Sequence, residues 1–73
     1  MIEVRQLRFA VATADAQNFS RAAEAMRIKQ STLSRRIAAL EARLGIKLFE
    51  RSTRGAIPTE QGKAFLSVAR RIL

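Results

Sequence analysis

Residues 18–37, NFSRAAEAMRIKQSTLSRRI, contain two helix-like patterns separated by only a short polar break. The first is a run of strong helix formers, RAAEAM, with Ser20 before it at the place of an N-cap. The second follows residues 27–29 and has an apolar stripe at helical spacing, formed by Leu33, Ile37, Leu40 and Leu44. Because one helix ends and another begins within a few residues, the chain must change direction here, and the segment predicts a helix-turn-helix.

The same hydrophobic periodicity defines the bounds of three helices. A first helix is predicted over residues 4–15, from an apolar stripe formed by Leu7, Ala10, Val11 and Ala14. The second and third helices are predicted over residues 20–26 and 30–44. Gly45 follows the last apolar position of the third helix and is its expected C-cap.

The periodicity changes after Gly45, where a hairpin and then a fourth helix are expected. IKLFER and AIP are β-inclined segments, and STRG between them has the composition of a turn. Thr59 is the expected N-cap of the fourth helix, with Glu60 favourably placed in its first turn. Three helices and a hairpin predict a mainly α winged helix-turn-helix over residues 1–58. Residues 59–73 are expected to begin a longer helix, since its apolar face is still in progress where the chain stops.

The excess of basic residues indicates the class of partner. Fourteen Lys and Arg against six Asp and Glu give a formal charge of +8, so the surface should attract polyanions, of which double-stranded DNA is the leading candidate. An anionic membrane is the competing partner, but no apolar run approaches the roughly 20 residues that a span requires. The chain has no His, Cys, Tyr or Trp, which argues against an enzyme and against a metal site. The charged N-terminus lacks the apolar stretch of a signal peptide and favours a cytoplasmic protein.

The third helix has one face without balancing carboxylates. A rotation of about 100° per residue places Ser31, Arg35, Ala38 and Ala42 opposite the apolar stripe, with Thr32, Ser34 and Arg36 beside them. No Asp or Glu lies three or four residues from Arg35, although solvated helix faces usually alternate in charge. Hydroxyl, amide and guanidinium groups on a projecting helix are those that read base edges and bind phosphates. The alternative is an ordinary helical hairpin within a bundle, which has similar apolar stripes.

Several separate motifs resemble the N-terminal DNA-binding domain of LysR-type transcriptional regulators. They are QLRFAVATADAQNF, AAE, LSRRI, LFER, Arg54 and TEQG, and they cover nearly the whole chain. The resemblance implies a homodimer that binds double-stranded DNA sequence-specifically at an inverted repeat, with the third helix in the major groove and a wing over residues 51–55 at the minor groove. It also implies that the fourth helix begins a linker that pairs two subunits. In the family a larger effector-binding domain follows, so we expect no cofactor in this domain, because a small-molecule effector would bind the domain missing from this chain.

The resemblance further implies roles for individual residues. Base reading is expected from the front of the third helix, at Gln30, Ser31, Thr32, Ser34 and Arg35. We expect contacts to the DNA backbone or minor groove from Ser20, Arg21, Lys29, Arg36, Thr53 and Arg54, and dimer contacts from Phe65, Leu66, Ala69, Ile72 and Leu73. Arg51 is expected to support the wing through Glu50 or a backbone carbonyl rather than to touch DNA.

Two other functions are compatible with the same residues. A non-specific architectural DNA-binding protein needs little more than the +8 charge, but such proteins frequently insert an apolar wedge, and STRG at the wing tip offers none. A protein-interaction module would use the unbalanced arginines to bind an acidic partner. Binding to specific and scrambled duplexes distinguishes a sequence-specific regulator from both.

Overall fold

A computed structural model describes residues 2–73, which form four helices and one two-stranded antiparallel sheet. The helices are α1 (Val4–Ala16), α2 (Phe19–Met26), α3 (Gln30–Leu44) and α4 (Glu60–Ile72), and the strands are β1 (Phe49–Ser52) and β2 (Gly55–Pro58). This is the predicted mainly α winged helix-turn-helix, and the hairpin of β1 and β2 is its wing. Met1, which the predicted domain boundary of 1–58 includes, lies outside the described residues.

The hydrophobic core lies where the first three helices meet beneath the wing. Three residues of the stripe predicted for α3, Leu33, Ile37 and Leu40, are fully or almost fully buried, and Leu44 packs against them partly exposed. Phe9 is also buried, although it lies outside the stripe predicted for α1. The reason is that α1 is contacted by α2 and α3 and also by α4, so that a single stripe underestimates its buried face.

The turn between α2 and α3 depends on a residue in the left-handed conformation. Arg27 has φ 59°, and its N–H donates to the carbonyls of the last turn of α2. The chain leaves α2 at this residue, and α3 begins at Gln30, as predicted. At its other end α3 stops at Gly45, which has φ 71° and donates its N–H to the carbonyl of Glu41. The predicted bounds and C-cap of α3 are therefore confirmed.

The N-cap predicted for α2 is wrong by two residues. Asn18 is the N-cap, because its Oδ1 accepts a hydrogen bond from the N–H of Arg21 at 2.9 Å. Asn caps a helix as well as Ser does, and an earlier start includes Phe19, which is buried in the core. Ser20 is an exposed residue of the first turn instead.

The first strand is shorter than the predicted segment IKLFER. Residues 46–48 are not a strand, because Leu48 uses its backbone groups elsewhere. Its N–H donates to Oε2 of Glu41 at 2.7 Å, and its carbonyl accepts from the N–H of Thr59 at 3.0 Å. Thr59 is the predicted N-cap of α4, and its Oγ1 accepts from the N–H of Gly62 at 2.9 Å. The start of α4 is thereby attached to the base of the wing.

Candidate nucleic-acid interface

The start of α2, the start of α3 and the wing meet at one surface of the domain. Ser20 and Gln30 from the two helices line a shallow cavity of about 170 Å³ together with Arg51 and Ser52 of β1. The tight turn after α2 brings the start of α3 to this place. Two residues predicted to contact DNA therefore lie next to the hairpin, although at least 18 residues of sequence separate them from it.

Most of the predicted DNA contacts are exposed side chains. They are Ser20, Arg21, Lys29, Gln30, Ser31, Arg35 and Arg36 on and before the helices, and Thr53 and Arg54 at the wing tip. Thr32 and Ser34 are half-buried. Within residues 2–73, no carboxylate lies at ion-pair distance from Arg21, Lys29, Arg35, Arg36 or Arg54. These five positive charges therefore attract a polyanion without competition from an internal partner.

The two edges of α3 face different neighbours. Ser34 is on the edge that faces the wing, whereas Arg36 lines a small cavity with Arg5 and Arg43 on the side of α1. Arg54 lines a larger cavity of about 590 Å³ between the wing and α4. The predicted contacts consequently form a broad band across the domain rather than one compact cluster.

Two side-chain contacts hold the wing beside α3. Glu41 accepts hydrogen bonds from the N–H groups of Leu48 at 2.7 Å and Phe49 at 3.4 Å. Arg51 donates from Nη2 to Oγ of Ser34 at 2.7 Å. These contacts therefore link α3 to β1 and to the residue before it.

Arg51 supports the wing, but not through the partners that the sequence predicted. Its guanidinium carbon lies 3.8 Å from the centroid of the Phe19 ring, which in turn packs edge-on against Phe49 with 6.0 Å between ring centroids. Among the described residues, its hydrogen-bond partner is Ser34 rather than Glu50 or a carbonyl. Phe19, the first residue of α2, provides the aromatic face on which this cation stacks. No sequence motif linked these three elements.

Glu41→Ala is expected to lower the free energy of unfolding by about 1 to 2 kcal/mol, because it leaves the N–H of the fully buried Leu48 without its acceptor. Urea unfolding followed by circular dichroism measures the change. Glu50→Ala is the matched control, since it removes an exposed carboxylate from the same region and should change stability by less than about 0.5 kcal/mol. Equal losses in the two variants would contradict the capping role of Glu41.

The residues predicted for dimerisation divide into buried and exposed groups. Leu66 and Ala69 are 5% and 1% exposed, because they pack within the domain itself. Phe65 is half-buried, whereas Ile72 and Leu73 are 60% and 48% exposed. The prediction omitted Val68, which is 47% exposed on the same helix. The exposed apolar surface of α4 is therefore concentrated toward its C-terminal end.

The interior of the described chain has few polar groups. Thr13 is fully buried, and its hydroxyl donates to the carbonyl of Phe9 at 2.8 Å, so its polar group is satisfied. Within residues 2–73, no three His, Cys, Asp or Glu side chains are grouped so that they can hold a metal ion. Over the same residues, no helix combines the length and the apolar character needed to cross a membrane.

A family model described as the bacterial regulatory helix-turn-helix protein, lysR family, matches residues 4–63. The chain belongs to the LysR family. Among its relatives is the HTH-type transcriptional regulator TfdT of Cupriavidus pinatubonensis, which is 50% identical over 72 residues. These residues are 99% of this chain but 32% of TfdT, so the chain spans about a third of the length of that regulator.

Solved structures of LysR-family proteins have the same fold. The CbnR DNA-binding domain, solved as a complex with DNA, superposes with a TM-score of 0.92 and 46% identity, over 97% of this chain and 82% of that one. The BenM DNA-binding domain, solved with catB site 1 DNA, gives a TM-score of 0.93 and 41% identity, over 97% and 80% of the two chains. The predicted family and fold are therefore confirmed. The roles of individual side chains stay predictions.

Proposed function

We propose that the chain is the DNA-binding part of a LysR-family transcriptional regulator and binds double-stranded DNA sequence-specifically. The observation that carries this proposal is the exposed face of α3, whose arginines have no carboxylate partners within residues 2–73 and which lies directly beside the wing. The likeness of the chain to the CbnR DNA-binding domain, which was solved in complex with DNA, supports the same function. A regulator of this kind acts in the cytoplasm through binding rather than catalysis.

In the proposed complex, α3 lies in a major groove and the wing lies at the adjacent minor groove. The front of α3 supplies the groups that read base edges, namely Gln30, Ser31, Thr32, Ser34 and Arg35. Residues around it bind the backbone, namely Ser20, Arg21, Lys29 and Arg36, and Thr53 and Arg54 serve the wing. Arg54 is exposed at the tip of the hairpin, where the negative potential of a narrow minor groove attracts a cation.

The proposed regulator acts as a homodimer on an inverted repeat. Two copies related by a two-fold axis present two α3 helices to successive major grooves on one side of the duplex. The exposed Val68 and Ile72 of α4, and Leu73 directly after it, provide apolar surface for this pairing. A small-molecule effector, if one is used, would bind the part of the regulator that lies outside this chain.

Titration of the chain with duplex DNA tests the proposed function. A duplex enriched from a random pool by this chain is compared with one in which the half-sites are scrambled and the flanks retained. We expect tighter binding to the enriched duplex, two chains bound to each inverted repeat, and log affinity that falls linearly with log salt by about 0.9 per phosphate contacted. Equal affinity for both duplexes would indicate an architectural binder, and affinity independent of salt would indicate that nucleic acid is not the partner.

A further inference from the structure

Ser34 has a hydroxyl whose hydrogen-bonding direction is set by its neighbour. A serine hydroxyl carries one hydrogen to donate and two lone pairs that accept, so it can normally face either a donor or an acceptor. Arg51 has only donors, and its Nη2 lies 2.7 Å from Oγ of Ser34. The hydroxyl must therefore accept in this contact, and its own hydrogen is directed elsewhere.

The hydrogen of the Ser34 hydroxyl has no acceptor within residues 2–73. A Ser in a helix can donate to the carbonyl four residues earlier, as the buried Thr13 does, but Ser34 makes no such bond in the described chain. Ser34 is half-buried at the edge of α3, next to the exposed face that carries Arg35. An outside acceptor can therefore reach it from the side on which the duplex is proposed to bind.

We propose that Arg51 is a positioning residue that orients the Ser34 hydroxyl so that its hydrogen is donated to a base edge of the DNA. Ser34 then favours a hydrogen-bond acceptor over an amino group of adenine or cytosine, because Arg51 already occupies one of the two lone pairs of its oxygen. The acceptor is an atom of a base edge, such as a purine N7 or O6 or a thymine O4. This inference rests on the proposed function. It means that Arg51, a residue of the wing, controls which groups of the DNA are bound by Ser34 on α3.

Phe19 restricts the orientation of the guanidinium that makes this contact. The guanidinium of Arg51 is planar, and its central carbon is 3.8 Å from the ring centroid, so that rotation of the group is limited. The ring itself is buried and held by Phe49. A lysine at position 51 would keep the charge but cannot both stack flat and aim a fixed N–H at Ser34.

A double-mutant cycle with Arg51→Met and Ser34→Ala tests the proposal. The readout is the ratio of the affinity for the enriched duplex to the affinity for the scrambled duplex. A general loss of positive charge weakens binding to both duplexes equally, so it leaves this ratio unchanged. Each single variant is expected to lower the ratio about tenfold, which is the effect of one hydrogen bond in a binding site. The double variant should lower it no further than either single variant, because Arg51 acts through Ser34. The proposal is overturned if the double variant lowers the ratio by the product of the two single effects. It is also overturned if Arg51→Met leaves the ratio unchanged.

Arg54→Met is the matched control for the lost charge. It removes a guanidinium from the same hairpin, at a residue whose side chain makes no hydrogen bond to Ser34. We expect weaker binding to both duplexes with their ratio changed by less than about twofold, the pattern of a phosphate contact. A fall in the ratio equal to that of Arg51→Met would show that charge loss at the wing, rather than Ser34, explains the effect.

Modified duplexes identify the acceptor. Analogues that delete a purine N7, a purine O6, a thymine O4 or the charge of one phosphate are placed in turn across a half-site. At one position, the deletion is expected to weaken wild-type binding and to have no effect on Ser34→Ala or Arg51→Met. An effect that depends on Ser34 at a phosphate, and at no base edge, would overturn the proposal. The absence of any position whose effect depends on Ser34 would overturn the donor assignment.

Loss of folding and failure of the proposed function are recognised separately. Each variant must keep a cooperative thermal transition, and if Arg51→Met does not, the cycle is repeated with Arg51→Lys under the same criteria. If the wild-type chain itself does not prefer the enriched duplex, the proposed function fails and this inference fails with it. If the wild type prefers the enriched duplex but the effects of the two single variants on the ratio multiply in the double variant, the proposed function stands. Only the role of Arg51 is then overturned.

Discussion

Gly62→Ala is expected to lower the free energy of unfolding by about 3 kcal/mol, although alanine is the better helix former. Gly62 is buried in the first turn of α4, where an added Cβ would lie 2.9 Å from the carbonyl carbon of Leu48 and 3.1 Å from its Cα, with the carbonyl oxygen closer still. That oxygen also accepts from the N–H of Thr59. Because all of these are backbone atoms, the start of α4 must move away from the base of the wing.

Thermal unfolding followed by circular dichroism measures this loss, and about 3 kcal/mol corresponds to a fall in midpoint of more than about 10 °C in a domain of this size. Helix propensity alone predicts the opposite sign, a gain of about 1 kcal/mol. Ala64→Gly, at an exposed position of the same helix, is the matched control and should lose about 1 kcal/mol. A midpoint for Gly62→Ala that is unchanged or raised would mean that α4 does not pack on Leu48 as described.

Arg35→Ala is expected to cost roughly 1 to 3 kcal/mol of binding free energy on the preferred duplex and to remove discrimination at one base pair per half-site. Arg35 is exposed on the face of α3 opposite the buried stripe, and it has no carboxylate partner within the described part of the chain. Its planar guanidinium can donate two parallel hydrogen bonds to the O6 and N7 of a guanine. Much less affinity should be lost on random DNA.

Arg54→Ala is the contrasting variant. Arg54 lies in the turn of the wing, where a minor groove provides potential rather than a distinctive base code. Its loss should weaken binding to all sequences. It should also reduce the slope of log affinity against log salt concentration by about one. Titrations of both variants against duplexes with single base-pair changes make the comparison. If Arg35→Ala loses equal affinity on specific and scrambled duplexes, Arg35 holds phosphate and its base-reading role must be withdrawn.

Signals that act over a few residues predicted the helices well. The bounds of α3 were correct because its apolar stripe, its polar first turn and Gly45 all lie within the helix or next to it. Thr59 was correctly predicted as a cap for the same reason. The N-cap of α2 was not correctly predicted, because Asn18 and Ser20 can both cap a helix. The burial of Phe19 decides between them. That burial depends on the rest of the fold.

Contacts between distant residues explain what the sequence did not predict. Arg51 and Ser34 are 17 residues apart, and nothing near either residue indicates the other. The sequence gives no sign that Glu41 is other than a surface residue of α3. Its carboxylate nevertheless accepts a hydrogen bond from the N–H of Leu48, in the segment before β1. Similarly, the apolar pattern of α4 did not reveal that Leu66 is buried in the domain while Val68 is exposed. Each of these depends on which elements become neighbours.

The contacts between α3 and the wing affect the DNA as well as the protein. Glu41, through the N–H of Phe49, and Ser34, through Arg51, link the wing to α3 at two points, which limits tilting of the hairpin relative to α3. In the proposed complex, the distance from the major-groove contacts to the minor-groove contact is then set by the protein. A duplex whose grooves do not match that distance must bend or change its groove width to be bound. Base pairs that no side chain touches would then contribute to operator preference through their stiffness.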